Sequence, residues 1–257
     1  MISIENLRKS FGPKKVLNGV NLDIPTGETI CIIGASGSGK SVLLKHIVGL
    51  LDADEGHVTI DGRDVGTMSQ EEWFELRRGF GYVFQSAALF DSMTVYENII
   101  LSLYEHGETR EDVLEAEARR VLGAVSLLPD PTEVSAEEFD HEWNILKNKK
   151  PSDLSGGMRK RVGVARALVG EPSYVFYDEP TTGLDPVTSE QIDQLILALT
   201  RKLNATSIVI THDMFSVYRI AKTVAMLHNG VVHFLGTPDE MRASTDQVVR
   251  DFIERFN

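Results

Sequence analysis

The chain of 257 residues lacks several features that would place it outside ordinary globular proteins. Its single cysteine, Cys31, excludes an internal disulfide, and its apolar neighbours predict a small buried side chain without a redox role. No run approaches the roughly 18 consecutive apolar residues of a membrane span. The first residues do not combine a basic segment with an apolar one, so we expect no signal peptide. These absences predict a soluble cytoplasmic protein.

Positive charge is also scarce in this sequence. The 26 lysines and arginines are outnumbered by 38 aspartates and glutamates, and the formal net charge is −12. A nucleic-acid surface normally carries a basic footprint, and anionic lipid attracts basic segments. The composition therefore argues against both kinds of partner. Short basic clusters occur at residues 147–150 and 159–161, and such clusters usually form solvated faces.

A glycine-rich segment at residues 34–41 is the most informative feature that the chain does contain. It fits the pattern G-x-x-x-x-G-K-[ST] between an apolar run at 29–33 and a helix-like run at 42–48. Glycines let backbone N–H groups surround an oxyanion, and the helix start adds unpaired donors. The predicted nucleotide-binding residues in this phosphate loop are Gly34, Ala35, Ser36, Gly37, Ser38, Gly39, Lys40 and Ser41. Lys40 would reach the β- and γ-phosphates, and Ser41 would ligate Mg²⁺. A glycine-rich turn with a chance lysine is the alternative.

The hydrophobic pattern predicts an α/β fold. Strand-like runs lie at residues 2–7, 16–24, 29–33, 58–60, 82–84, 174–177, 207–210, 224–227 and 231–235. Asp61-Gly62 and Asn229-Gly230 are hairpin turn signals. Helical spacing marks residues 95–128 and 189–203, and the last segment places Val248, Val249, Phe252, Ile253 and Phe256 on one face. We expect one domain over 1–257, with a core subdomain at about 1–95 and 166–240, a helical subdomain at about 96–165 and a C-terminal helix at about 245–256.

Two carboxylates at the end of an apolar strand decide the class of nucleotide-binding protein. Asp178 ends the run that begins at Tyr174, and Glu179 follows it. Asp178 is placed to hold Mg²⁺, and Glu179 to polarise a water in line with the γ-phosphate. Acidic pairs also serve as helix caps or solvated loops, but the upstream phosphate loop favours the catalytic interpretation.

Further motifs, in a fixed order, complete a family pattern. Leu-Ser-Gly-Gly-Met at residues 154–158 precedes the acidic strand, and His212 follows the next strand. Together with the phosphate loop, these motifs resemble the ATP-binding subunits of ATP-binding-cassette (ABC) transporters over nearly the whole chain. The resemblance implies a P-loop NTPase fold with an antiparallel β subdomain and an inserted α-helical subdomain. It also implies an ATPase that uses ATP and Mg²⁺.

The same resemblance implies roles for individual residues. Phe11 resembles the aromatic that stacks on adenine; the family often has tyrosine there, but only a π face is needed. Gln85 resembles the glutamine that touches Mg²⁺ and the attacking water, and His212 resembles the switch histidine on the γ-phosphate. Asp185 matches a dimer-facing aspartate. The signature-loop residues, which close over ATP bound by a second copy, are Ser155, Gly156 and Gly157. The active species would then be a head-to-tail dimer that drives a separate membrane permease.

A narrower resemblance concerns the cargo. The segment from Phe84 through Gln85 to Asn98 is similar to that of ATPases in MCE-associated phospholipid transporters of the Mla type, as is Met158 in place of the usual glutamine. It implies lipid transport in the bacterial envelope, a permease docked near residues 85–98, an MCE-domain partner, and a peripheral location at the cytoplasmic face of the inner membrane. An apolar patch formed by Leu89, Phe90, Met93 and Val95 is expected to provide the permease's groove. Core packing between the subdomains is the alternative for these residues.

Residues 129–150 depart from the family pattern, because related ATPases cross this stretch in fewer residues. Phe139, Trp143 and Leu146 fall at i, i+4 and i+7, which predicts one helical face. We expect a surface insertion that packs its aromatics locally, with partner binding as the alternative.

Other functions stay open at this stage. The same ATPase could serve another permease and substrate. A soluble ABC protein acting on nucleic acid or ribosomes is disfavoured, because this acidic chain has neither paired cassettes nor a basic surface. A catalytically dead cassette is disfavoured because Lys40, Asp178, Glu179 and His212 are all present.

Overall fold

The protein is described by a computed structural model over residues 1–256, with side chains described for 1–255. The strands are β1 (Ile2–Phe11), β2 (Lys14–Ile24), β3 (Thr29–Ile33), β4 (Glu55–Ile60), β5 (Arg63–Asp64), β6 (Phe80–Val83), β7 (Tyr174–Asp178), β8 (Thr206–Ile210), β9 (Thr223–His228) and β10 (Val231–Gly236). The helices are α1 (Lys40–Ile47), α2 (Gln70–Arg77), α3 (Val95–Glu105), α4 (Glu111–Ala124), α5 (Ala136–Lys147), α6 (Gly156–Ala167), α7 (Pro186–Leu203), α8 (Met214–Ile220), α9 (Pro238–Arg242) and α10 (Gln247–Phe256).

Four strands near the start of the chain form an antiparallel sheet in the order β2-β1-β4-β5. Alternate residues of β1 and β2 are buried, which is the pattern of a sheet with one covered face. The predicted hairpin turn after β4 is confirmed, with Asp61 and Gly62 both at positive φ, 50° and 78°. Positive φ at both central residues is the geometry of a tight two-residue turn.

The second sheet has six strands in the order β10-β9-β3-β8-β7-β6. All neighbouring pairs are parallel except β10 with β9. Every residue of β3 and β8 is buried, because one face of the parallel sheet packs against helices such as α7 and α8, and the other packs against α1 and the antiparallel sheet. The carboxyl ends of β3, β6, β7 and β8 therefore meet at one edge, where ligands of such sheets bind.

In the sequence, helices α3 to α6 lie between strands β6 and β7. Residues 95–128, predicted as helical, form α3 and α4, and Gly107 lies at a φ of 89° in the turn between them. Thr94 begins α3 with a capping box, in which its side chain and that of Glu97 each accept a backbone N–H.

The segment at 129–150 differs from the expected surface insertion. Trp143 of α5 is 0% exposed and lies in the large hydrophobic core with Leu146, while Phe139 packs on its edge. The Trp143 Nε1–H donates to Glu115 Oε1 of α4 at 2.8 Å, and its ring meets the ring of Tyr96 of α3 edge to face, with centroids 5.9 Å apart. The aromatic face thus packs against two other helices, because α3 and α4 leave an apolar surface that α5 covers.

The predicted C-terminal face is buried at Val249 and Phe252, and the Phe256 side chain lies outside the described residues. Among residues 1–256, the structure contains no helix with the length and apolar content of a bilayer span.

Candidate nucleotide-binding and catalytic site

The phosphate loop connects the central strand β3 to α1, as predicted. Gly34 has a φ of 147°, and a Cβ there would lie 2.4 Å from the Leu227 carbonyl oxygen. Gly39 has a φ of 105°, and its Cβ would lie 2.9 Å from a methyl carbon of Leu17. Any other side chain at these two positions would clash and strain the backbone, so the loop's shape depends on glycine.

Lys40 points back into this loop. Its side-chain ammonium donates to the carbonyl oxygens of Gly34 at 2.7 Å and Ala35 at 3.2 Å. Burial lowers the pKa of Lys40, while the negative charges of Glu179 and Asp178 act in the opposite direction. The positive charge of Lys40 therefore lies within the loop that the sequence predicts to bind phosphate.

The other residues of the loop differ in their exposure to solvent. Ser38 Oγ is buried and has no hydrogen-bond partner among the described residues. Ser41, in the first turn of α1, is exposed. Ala35, Ser36 and Gly37 are exposed at the tip of the loop, and a Cβ at Gly37 would meet nothing within 4 Å. The open tip and the unpaired hydroxyl leave room and donors for an anion.

Asp178 and Glu179 stand at the end of β7 in different environments. Burial raises the pKa of the Asp178 carboxyl, and the charge of Glu179 adds to this increase. The Tyr82 hydroxyl, 3.5 Å from Asp178 Oδ2, and Lys40 favour the ionised form. Glu179 is the first residue after the strand and adopts a φ of 51°, which is unusual for a residue other than glycine.

Glu179 and His212 form a pair across neighbouring strand ends. His212 Nδ1 lies 2.9 Å from Glu179 Oε1 and 2.8 Å from Oε2. Thr182 Oγ1 also donates to Glu179 Oε2, at 3.1 Å. The Glu179 backbone N–H donates to the Ile210 carbonyl oxygen at 2.8 Å, which joins the ends of β7 and β8. The carboxylate is therefore held at several points at the edge of the sheet.

Gln85 reaches the same region from β6, which ends two residues earlier. Its side chain is exposed, and its backbone carbonyl accepts a hydrogen bond from the Lys160 ammonium of α6. Phe11 lies at the end of β1 and is 47% exposed, with the Lys9 ammonium 5.8 Å from its ring centroid. An exposed π face beside a cation is a surface on which a nucleobase can stack.

The structure places the signature loop and Asp185 together in a separate cavity. Ser155 begins α6 and accepts the Met158 N–H at 3.2 Å, while Asp185 begins α7 and accepts the N–H groups of Val187 and Thr188. This cavity has a volume of about 550 Å³, and its lining includes Ser155, Gly156, Gly157 and Asp185. None of the lining residues, all in the described chain, belongs to the phosphate loop.

The donor atoms at the sheet edge fit a hard divalent cation. Ser41, Gln85 and Asp178 supply a hydroxyl, an amide and a carboxylate, all of them oxygen donors, as Mg²⁺ prefers. Within residues 1–256, no cluster of three or more His, Cys, Asp or Glu side chains is suited to a metal.

Sequence reasoning missed several residues that shape this site. The basic cluster at 159–161 forms a solvated face only in part, because Arg159 is exposed while Arg161 is half-buried and Lys160 is buried. Lys160 is 6% exposed, Arg159 donates to the Leu154 carbonyl at 2.6 Å, and Arg161 donates to the Val125 carbonyl at 2.7 Å. The signal was available, because Lys160 lies four residues before the buried Val164, on the apolar side of the helix. Tyr82 and Thr182 carried no such pattern.

The apolar patch predicted at residues 89–95 is only partly correct. Val95 is buried in the core and Leu89 packs on its edge, whereas Phe90 is 50% exposed. Asn98 is fully buried and bonds the backbone of residues 90–94, with its Oδ1 accepting the Phe90 N–H at 2.8 Å. Phe90 thereby lines a groove of about 660 Å³, together with Phe84, Phe80, Leu101, Arg77 and Arg166 among other residues.

Comparisons with known proteins identify the family. The family model described as "ABC transporter" matches residues 17–182. The chain is similar to the probable ribonucleotide transport ATP-binding protein mkl of Mycobacterium leprae, with 36% identity over 252 residues, covering 98% of this chain and 68% of that protein. It is also 36% identical to the chloroplastic protein trigalactosyldiacylglycerol 3 of Arabidopsis thaliana, covering 98% of this chain and 73% of that protein.

A solved structure agrees with these relatives. The dimeric post-hydrolysis state of the ATP-binding cassette MJ0796, bound to ADP and Pi, superposes with a TM-score of 0.78. It is 31% identical and covers 93% of this chain and 99% of its own. This similarity over 93% of the chain, together with the two-sheet α/β architecture, confirms the predicted P-loop NTPase fold. The chain belongs to the ABC transporter family as an ATP-binding ATPase domain.

Proposed function

We propose that this chain is the ATPase subunit of an ABC transporter that moves phospholipid in the bacterial envelope. It works as a head-to-tail dimer of two copies, bound to a membrane permease and, through the complex, to an MCE-domain lipid-binding protein. Its place is then the cytoplasmic face of the inner membrane, without a span of its own within the described residues.

One observation carries the dimeric arrangement. The phosphate loop with Glu179 and His212 lies at one edge of the parallel sheet, while the signature loop shares a cavity with Asp185. The signature N–H groups at the start of α6 form an anion site, yet no residue of the phosphate loop lines their cavity. A second copy supplies the phosphate loop and its bound phosphates when the two chains meet head to tail. The dimeric MJ0796 cassette supports this arrangement.

The residues at the sheet edge then divide the work of hydrolysis. Lys40 and the loop N–H groups hold the phosphates, and Phe11 stacks on adenine. Ser41, Gln85 and Asp178 would hold Mg²⁺, which would neutralise phosphate charge. Glu179 orients and polarises the attacking water, while His212 fixes the carboxylate and faces the γ-phosphate.

The groove beside Phe90 is the proposed docking site for the permease. Its lining is mostly apolar and includes the arginines Arg77, Arg78 and Arg166. An amphipathic cytoplasmic helix of the permease suits such a surface. Because Gln85 and Phe90 belong to one loop, movement of the docked helix reaches the catalytic edge directly.

Lipid as cargo rests on two lines of support. The segment at 84–98 and Met158 resemble Mla-type ATPases. One relative, with 36% identity over nearly the whole chain, is named for a galactolipid. Another permease and substrate is the second candidate, because the mycobacterial relative is named for ribonucleotide transport.

The test is reconstitution of the complex. The chain is purified with its co-expressed membrane subunits and placed in liposomes with fluorescent phosphatidylglycerol or radiolabelled ribonucleotide. We expect ATP-dependent movement of the phospholipid, and no movement in a Glu179→Gln complex. ATP-driven movement of ribonucleotide, with the phospholipid static, would favour the second candidate.

A further inference from the structure

One face of helix α6 packs against the loop after β6, which begins near Gln85. Three residues of the helix make the contacts. Lys160 bonds the Gln85 carbonyl, a Cβ at Gly163 would lie 3.0 Å from Ala87 Cβ, and Arg166 bonds the carbonyls of Ala87 and Ala88 at 2.8 and 2.9 Å. These helix positions are three residues apart, so they form one row along the helix. Helix α6, which begins at the signature loop and is called the signature helix below, thus packs on the loop that begins at Gln85.

Lys160 also reaches a second strand end. Its ammonium donates to the Gln85 carbonyl and lies 3.4 Å from the Glu179 carbonyl oxygen. The first carbonyl follows β6 and the second follows β7. Asp178 and Glu179 place two negative charges around the same ammonium. A lysine buried to 6% exposure would be costly without such partners.

The backbone that Lys160 and Arg166 of α6 hold is unusual. Glu179 has a φ of 51°, and Ala87 and Ala88 have φ values of 63° and 46°. Residues other than glycine adopt this region only where surrounding contacts enforce it. The bonds from α6 to the carbonyls of Gln85, Ala87, Ala88 and Glu179 are contacts of that kind.

We propose that Lys160 is a positioning residue for ATP hydrolysis: its ammonium joins the carbonyls of Gln85 and Glu179 and so ties both side chains to the signature helix. This inference rests on the proposed roles of Gln85 and Glu179. When the signature loop at the start of α6 engages a nucleotide, displacement of the helix is passed to both residues through one side chain. Lys160 itself touches neither substrate nor metal.

The test separates positioning from binding and from general packing. Lys160→Met keeps the length of the side chain and removes its hydrogen-bond donor. We expect kcat to fall by about 10- to 100-fold, which is the effect that a displacement of catalytic groups by about 1 Å produces. The dissociation constant for a fluorescent ATP analogue should change less than about threefold, because Lys40 and Phe11 are untouched. Lys160→Arg should recover much of the lost kcat, and Lys202→Met, on an exposed part of α7, serves as the control.

Three outcomes would overturn the proposal: a kcat of Lys160→Met within twofold of the parent, an equal loss of affinity and kcat, or no recovery by arginine in a folded protein.

If Lys160→Met does not fold, the variant Lys160→Gln is used instead, and hydrogen exchange of its backbone amides is measured. Exchange should then increase at both 85–88 and 179–182 and stay unchanged at 34–41; an increase at only one of the two segments would contradict the link. Normal turnover of Glu179→Gln, by contrast, would refute the underlying catalytic roles and not Lys160 alone.

Discussion

The imidazole Nδ1 of His212 lies 2.9 Å from the carboxylate oxygen Oε1 of Glu179, and the two residues come from the ends of adjacent strands. The Glu179 carboxylate in its ionised form only accepts hydrogen bonds, so with that form the contact requires the proton on Nδ1. The contact leaves Nε2 as the ring nitrogen directed away from Glu179. The pair joins the proposed water-activating group to the proposed γ-phosphate contact.

Replacing Glu179 with glutamine tests this pair. The amide keeps the shape but cannot act as a base, so we expect turnover to fall at least about 100-fold, while ATP binding is retained. ATP that cannot be hydrolysed should also hold two copies together, which size-exclusion chromatography with ATP would detect. Glu137→Gln, an exposed substitution in α5, is the control. Normal steady-state hydrolysis in Glu179→Gln would contradict the assignment.

Lys40→Ala should weaken nucleotide binding itself. A charge-assisted hydrogen bond contributes about 1.5–3 kcal/mol, so affinity for ATP should fall by about 10- to 100-fold. Isothermal titration calorimetry gives the constant, and Lys202→Ala controls for loss of one positive charge. Unchanged affinity in the Lys40 variant would count against the role of the phosphate loop.

Trp143→Ala should destabilise the protein by about 3–5 kcal/mol, because it opens a cavity in the core and leaves Glu115 without its Trp143 donor. Urea unfolding measures this free energy. Ile145→Ala, on the exposed side of the same helix, should change stability by less than about 1 kcal/mol. A difference between the two variants below about 1 kcal/mol would show that α5 is peripheral.

Cys31 should resist thiol reagents in the folded protein. It is fully buried, and burial raises the pKa of its thiol far above neutral pH, so the reactive thiolate is scarce. Labelling with a chromogenic disulfide at pH 8 should be slow, and it should become complete in urea. Fast labelling without denaturant would show that β3 opens readily.

Much of the site could be predicted from sequence because its chemistry lies in contiguous motifs. The phosphate loop needs glycine at Gly34 and Gly39 for steric reasons that any chain must obey. Asp178 and His212 follow apolar runs, and parallel strands bring their carboxyl ends to one edge. Turn signals such as Asp61-Gly62 are local for the same reason.

Contacts between distant segments were decided only by the tertiary structure. The sequence pattern places Lys160 in a basic cluster of the kind that usually forms a solvated face. In the structure, α6 buries Lys160 against the carbonyls of Gln85 and Glu179. The sequence pattern predicts that Trp143 packs locally within a surface insertion, whereas the structure buries it in the core against α3 and α4. A sequence pattern reports which side chains share a face, whereas the partner of that face depends on how helices far apart in the chain pack together. The motifs alone thus determined an ABC-type nucleotide site, and packing decided what holds its proposed catalytic residues in place.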